Sequence, residues 1–211
     1  ARLDANAEKD PQKGLAQAWS AAASAIAEGE SAASVIELSP GASPRAEPID
    51  RPSSDPAPSR LATGIGEFDR VLGGGVVAGS VVLVGGDPGI GKSTLMLQGA
   101  AALARAGVRT LYVTSEESAE QTRLRFARLS HDQPASDLYV LADTNLARIV
   151  EQARRTQPRI LVIDSIQMIY KADLDASPGS IAQLRRCCTE LVYLAKASGV
   201  AILLVGHVTK D

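Results

Sequence analysis

The sequence predicts an α/β fold, a mostly parallel sheet with helices on both faces, preceded by an N-terminal extension of different character. Three observations carry this. Apolar, β-branched runs at residues 80–85, 109–114, 138–141, 159–164 and 200–205 alternate with segments of helical spacing. These runs lack a polar face, as do strands of a parallel sheet covered on both sides. The first run leads through a glycine-rich turn directly into a helix, the local order of a nucleotide-binding α/β unit.

A chain of 211 residues accommodates one such domain and an appendage, but not two full domains. Aromatic residues make up only 3%, so the core must be built from Ala, Val, Leu and Ile. A net charge of −2 gives no global nucleic-acid signature, so any such partner has to be argued locally. The two cysteines, Cys187 and Cys188, are adjacent, which excludes a disulfide scaffold and a metal-ligand spacing. They read as core or near-core residues in a reducing compartment. No apolar run reaches membrane-spanning length and no signal peptide is recognisable, so a cytoplasmic protein without a membrane partner is expected.

Residues 1–38 form an extension with one expected helix. Asp10 is its candidate cap, Pro11 fits the first turn, Gly29 is a natural stop, and Leu15, Trp19, Ala22 and Ile26 share a face. Docking of this helix on the main domain, docking on a partner, and a marginal, frayed helix all remain open. Residues 39–60 read as a disordered Pro/Ser-rich linker, the first sixty residues holding seven of the eleven prolines.

The ordered core is expected from 61 to 211. A short helix places Ile65, Phe68 and Leu72 on one side and ends at the triplet Gly73 to Gly75, after which residues 76–79 turn into the first strand. The helix after the second strand carries Arg123, Arg125 and Arg128, read as solubility and subunit contacts. Another helix is expected at 145–155. Residues 166–179, with Lys171, read as an exposed connection, and Ser180 with Gln183 as a capping box. In the helix that follows, Ile181, Leu184, Cys188, Leu191 and Ala195 are expected to be buried. The last strand lies close to the end of the chain, which is early for such a sheet, and a piece of a longer protein is expected.

The turn after the first strand is Gly86-Asp87-Pro88-Gly89-Ile90-Gly91-Lys92-Ser93, which fits the phosphate-loop pattern G-x-x-x-x-G-K-[ST]. Its glycines allow backbone N–H groups to line an anion nest, and the helix start behind it favours phosphate. Lys92 is expected to reach the β- and γ-phosphates of ATP and the Ser93 hydroxyl to ligate Mg²⁺, while Thr94 packs in the first helical turn. Asp164 ends an apolar strand, where an aspartate holds Mg²⁺ through water or caps a helix. Glu116 is the favoured general base for the attacking water, with Glu117 its alternate or a first-turn residue suited to the helix dipole. His207 either senses the γ-phosphate or is structural, and Lys210 either contacts phosphate or is solvated.

Taken together, Thr63-Gly-Ile-Gly-Glu-Phe-Asp-Arg-Val-Leu-Gly-Gly-Gly75, the phosphate loop, Tyr112-Val-Thr-Ser-Glu-Glu-Ser118, Leu161-Val-Ile-Asp-Ser-Ile-Gln167 and Gly206-His-Val-Thr-Lys210 resemble the bacterial RadA (Sms) family of the RecA-like ATPase superfamily. The resemblance covers residues 61–211. It implies an ATP hydrolase with Mg²⁺ that forms a ring-shaped homo-oligomer, hexameric when full length, binds single-stranded or branched DNA and promotes branch migration in repair and recombination, with a recombinase as a further partner. It assigns nucleotide roles to Lys92, Ser93, Glu116 and Asp164, and sets His207 in the terminal-strand motif. It also implies that residues 171–179 and those after His207 face DNA. The family's four-cysteine zinc module has no counterpart in residues 1–60, which contain no cysteine. Two other readings stand beside it: an ATPase of the circadian-clock-kinase type, and a nucleotide-binding scaffold without turnover.

Overall fold

The computed structural model describes residues 19–21, 24–25, 48–50, 59–131 and 133–207. Asp10, Pro11, Leu15, Ala22, Ile26, Gly29, Lys210 and most of the expected linker lie outside the described residues.

Strands β3 (Val81–Gly86), β4 (Thr110–Thr114), β5 (Leu138–Ala142), β6 (Ile160–Asp164) and β7 (Ala201–His207) form a parallel sheet in the order β3-β7-β6-β4-β5. Helices α2 (Lys92–Arg105), α3 (Ala119–Ser130), α4 (Leu146–Thr156) and α5 (Ile181–Ser198) make the crossovers. Strand periodicity separates two cores. Tyr112, Ile160, Val162, Ala201, Leu203 and Val205 pack with Met96, Leu97 and Leu103 of α2 and with Phe126 of α3. Leu111, Val113, Leu161, Ile163, Ile202 and Leu204 face the other way, towards Ile149 of α4 and Cys187, Leu191 and Leu194 of α5. Residues 19–21 and 24–25 are helical, and Trp19 joins the second core, 1% exposed.

Several expectations need correction. Among the described residues β3 pairs with β7 alone, and its Leu83 is 64% exposed although the run is apolar. Val76–Val77 does not merely turn: as β2 it pairs antiparallel with β1 (Arg60–Leu61). Gly75 sits at φ 130°, where a Cβ would lie 2.5 Å from the Leu61 carbonyl oxygen. Between the two strands, helix α1 (Gly66–Val71) is tied down by Asp69, whose carboxylate accepts from Thr63 N, Thr63 Oγ1 and Gly64 N.

The connection after β6 is not simply exposed. It opens with a 3₁₀ turn, Ile166–Met168, and buries Ile166, Ile169 and Lys171. Ser180 caps α5 by accepting from Gln183 N, but the capping box is only half made. The Gln183 amide instead exchanges bonds with the Lys171 backbone and donates to the carbonyls of Leu174 and Ala176. The buried face of α5 is rotated accordingly: Ile181 is exposed, Cys187 rather than Cys188 is fully buried, and the buried Glu190 ion-pairs with Arg186 at 2.8 Å. Burial pushes the Cys187 thiol up to about 12, consistent with an inert core residue.

Candidate active site

Sheet register assembles the site. At the carboxyl edge Gly86 lies opposite His207, and Asp164 lies opposite Val205 on one side and Thr114 on the other. The phosphate loop, Asp164, the segment after β4 and the end of β7 therefore share one rim, the usual ligand-binding edge of an open parallel sheet.

The loop from Gly86 to Ser93 closes on itself. Gly89 and Gly91 take φ 80° and 100°, where any other side chain would be strained, and the space a Cβ would occupy at either is open. Gly91 starts α2 in the left-handed conformation with no side-chain cap. The first N–H groups of that helix thus lack an intrahelical acceptor and offer themselves to an anion. Lys92 is buried, and its Nζ donates to the carbonyl oxygens of Gly86 and Asp87, each at 2.8 Å. Pro88 and Ile90 form the outer bend, Ile90 exposed, and Thr94 is half-buried in the first helical turn.

Asp164 projects to the face covered by α2. The Tyr112 hydroxyl donates to Asp164 Oδ2 at 2.5 Å and lies 3.4 Å from the Ser93 carbonyl oxygen, joining the two expected Mg²⁺ residues through one buried ring. Burial, then the adjacent Asp164 charge, pushes the Tyr112 phenol up, so it remains a donor. Sequence reasoning missed Tyr112. Its only signal is a tyrosine, rather than a phenylalanine, on a fully buried strand, where a hydroxyl requires a partner.

The peptide joining Asp164 to Ser165 is cis. Ser115 Oγ accepts from Ser165 N at 2.7 Å and donates to Ser165 O at 2.9 Å, locking the ends of β4 and β6 together. Ser165 Oγ in turn donates to Glu116 Oε1 at 2.5 Å, and His207 Nε2 lies 3.3 Å from the same oxygen. The Ser165 hydrogen bond chiefly holds the Glu116 carboxyl below the usual range, against desolvation, with further help from His207 and the Lys92 charge. Glu116 is thus favoured as an ionised carboxylate. Glu117 goes elsewhere: it ion-pairs with Arg125, whose guanidinium is therefore engaged within the domain and is not a free surface charge as expected. Lys171, expected in an exposed connection, is likewise buried and bonded to Asp173 at 2.6 Å.

These residues fit a magnesium nucleoside triphosphate. The glycine cradle is open where Cβ atoms would fill it, and the oxygen donors Ser93 and Asp164 are of the hard type that Mg²⁺ takes. Lys92, Ser93, Asp164, Glu116 and His207 share the rim; Glu117 is turned into its ion pair. Among the described residues no helix is long and apolar enough to cross a membrane.

Comparison with known proteins agrees with this architecture. A family described as an AAA domain matches residues 48–211. The DNA repair protein RadA of Bacillus subtilis is 49% identical over 152 residues, covering 72% of this chain and 33% of that protein. RadA of Halalkalibacterium halodurans is 43% identical over 196 residues, 92% of this chain and 42% of its own length. RadA of Escherichia coli is 52% identical over 152 residues, 72% of this chain and 32% of its own. The chain therefore spans between 32% and 42% of the length of these relatives.

Proposed function

Because the chain belongs to the AAA-domain family and, within it, to the bacterial RadA-type, RecA-like ATPases, we propose that it binds ATP with Mg²⁺ at the rim formed by β3, β7, β6 and β4 and hydrolyses it. The observation that supports this is the shared rim: Tyr112 joins Asp164 to the Ser93 carbonyl, Ser165 and His207 hold Glu116, and Lys92 lies in the phosphate loop beside them.

Bound Mg²⁺·ATP supplies an electrophilic γ-phosphorus and a leaving diphosphate. Lys92 exchanges the carbonyls of Gly86 and Asp87 for phosphate oxygens, and the N–H groups of the loop and of α2 bind the rest. Ser93 and Asp164 would hold the metal, the latter oriented by Tyr112. Glu116, kept charged by Ser165, accepts the proton of the attacking water. His207 lies against that carboxylate at the end of β7, so a change at the γ-phosphate reaches the chain that follows.

In the whole protein this hydrolysis serves DNA repair in the cytoplasm: a ring-shaped homo-oligomer grips single-stranded or branched DNA and drives branch migration, together with a recombinase. The names of the relatives support the repair role. The test is ATP turnover by the full-length protein with and without single-stranded DNA, with Lys92→Ala as the control for the site. DNA stimulation abolished by Lys92→Ala supports the motor. Turnover indifferent to DNA favours a clock-kinase-type ATPase, and nucleotide binding without turnover favours a scaffold.

A further inference from the structure

We propose that Gln167 is a positioning residue for hydrolysis: it grips the backbone carbonyl of His207 and so sets the His207 ring against Glu116. This rests on the reading of the rim as an ATP-hydrolysing site.

The geometry begins in the 3₁₀ turn after Asp164, which is closed by bonds from Met168 N to Ser165 O and from Ile169 N to Ile166 O and is anchored by buried Ile166. Two side chains of this short, fixed piece reach the same carboxylate by different routes. Ser165 donates directly to Glu116 Oε1. Gln167 Nε2 donates to His207 O at 3.2 Å, and His207 Nε2 lies 3.3 Å from that same Glu116 oxygen. One turn thereby holds the base and its histidine neighbour in register.

The surroundings leave little slack. A Cβ on Gly206 would lie 3.1 Å from Leu83 Cδ1 and 3.5 Å from Gln167 Nε2, so the residue before His207 leaves just the room the amide occupies. The bond to a carbonyl also fixes which end of the amide faces His207, because only Nε2 can donate. Among the described residues, Gln167 Oε1 and His207 Nδ1 are both buried without a hydrogen-bond partner. Buried polar atoms are nearly always paired. Two unpaired ones on the two residues that Nε2 already joins mark a junction with unused bonding capacity, suited to a small readjustment when the γ-phosphate arrives.

The test uses the full-length protein and two substitutions that remove the donor by different routes. Gln167→Met keeps length without polarity, whereas Gln167→Glu keeps shape but presents only acceptors; a folding defect in one leaves the other to decide. Each should lower kcat at least about tenfold, as expected for a misplaced catalytic neighbour. The KM for ATP and the affinity for a fluorescent ATP analogue should stay within about twofold of the unaltered protein. In a His207→Ala background the same changes should add nothing, because Gln167 acts through the ring. Unchanged kcat in the well-folded variant, or an undiminished further loss without the His207 ring, overturns the inference while leaving the site reading intact. No turnover by the unaltered protein overturns both.

Discussion

The Tyr112 hydroxyl donates to the Asp164 carboxylate at 2.5 Å from the neighbouring strand, on the face covered by α2. A hydrogen bond to a charged acceptor at a buried site contributes more than an ordinary one, about 1.5–3 kcal/mol. Tyr112→Phe keeps the ring packing and removes only this bond. We expect a stability loss in that range by chemical denaturation, and a higher Mg²⁺ concentration for half-maximal ATP turnover. An unchanged Mg²⁺ requirement would show that Asp164 needs no such orientation.

Glu116 and Glu117 are adjacent in sequence and diverge in space, one bonded to Ser165 and the other paired with Arg125. Glu116→Gln should retain affinity for a fluorescent ATP analogue while losing turnover by about 100-fold or more, the usual scale for a general base. Glu117→Gln breaks an ion pair whose side chains are 24% and 33% exposed, and should leave turnover within a few-fold. The opposite result would reassign the base to Glu117.

The Ser165 hydroxyl sets the acid limit of the site. Because the Glu116 carboxyl is lowered in the folded protein, its charged form is favoured there. Its contribution to stability is present above the ordinary glutamate value and is lost as pH falls through the lowered one. Ser165→Ala removes the largest lowering influence and leaves desolvation, so the acid limb of kcat/KM against pH should move upward. A limb in the same place would mean that another group governs it.

Much of this was readable in the chain because apolar runs and glycine turns are local signals. The five parallel strands and the phosphate loop follow from them. What was not readable depends on neighbours the pattern does not encode. The β3 run looks as buried as the others, yet an apolar run does not state which of its faces another element covers, and Leu83 is exposed. The spacing of Gln183 from Ser180 fits a cap, whereas the amide gains more bonds from the carbonyls of the preceding loop. Lys171 and Arg125 read as surface charges because only folding shows their partners, Asp173 and Glu117.

That loop supplies a further prediction. Gln183 is 1% exposed, and its side chain bonds to the Lys171 backbone at both ends while also reaching Leu174 and Ala176. Gln183→Ala strands several buried backbone groups at once, each costing about 1–3 kcal/mol when left unpaired. We expect destabilisation of that order and faster amide exchange at residues 171–176, with nucleotide affinity unchanged. Protection that persists in the variant would show that the loop is held by other contacts.

Trp19 poses the last question, because the extension of residues 1–38 is rich in alanine and poor in large apolar side chains and yet places its one aromatic residue in the core beneath α4 and α5. Burying an indole removes a large apolar area from water, so Trp19→Ala should cost about 3–5 kcal/mol if the extension is docked in solution. Since the protein has a single tryptophan, its fluorescence reports on this side chain alone. Docking predicts blue-shifted emission, weak quenching by acrylamide, and a red shift that coincides with global unfolding. Emission typical of exposed indole under native conditions, together with a loss below about 1 kcal/mol for Trp19→Ala, would mean that α4 and α5 are stable without the extension, since surface substitutions rarely cost more than that.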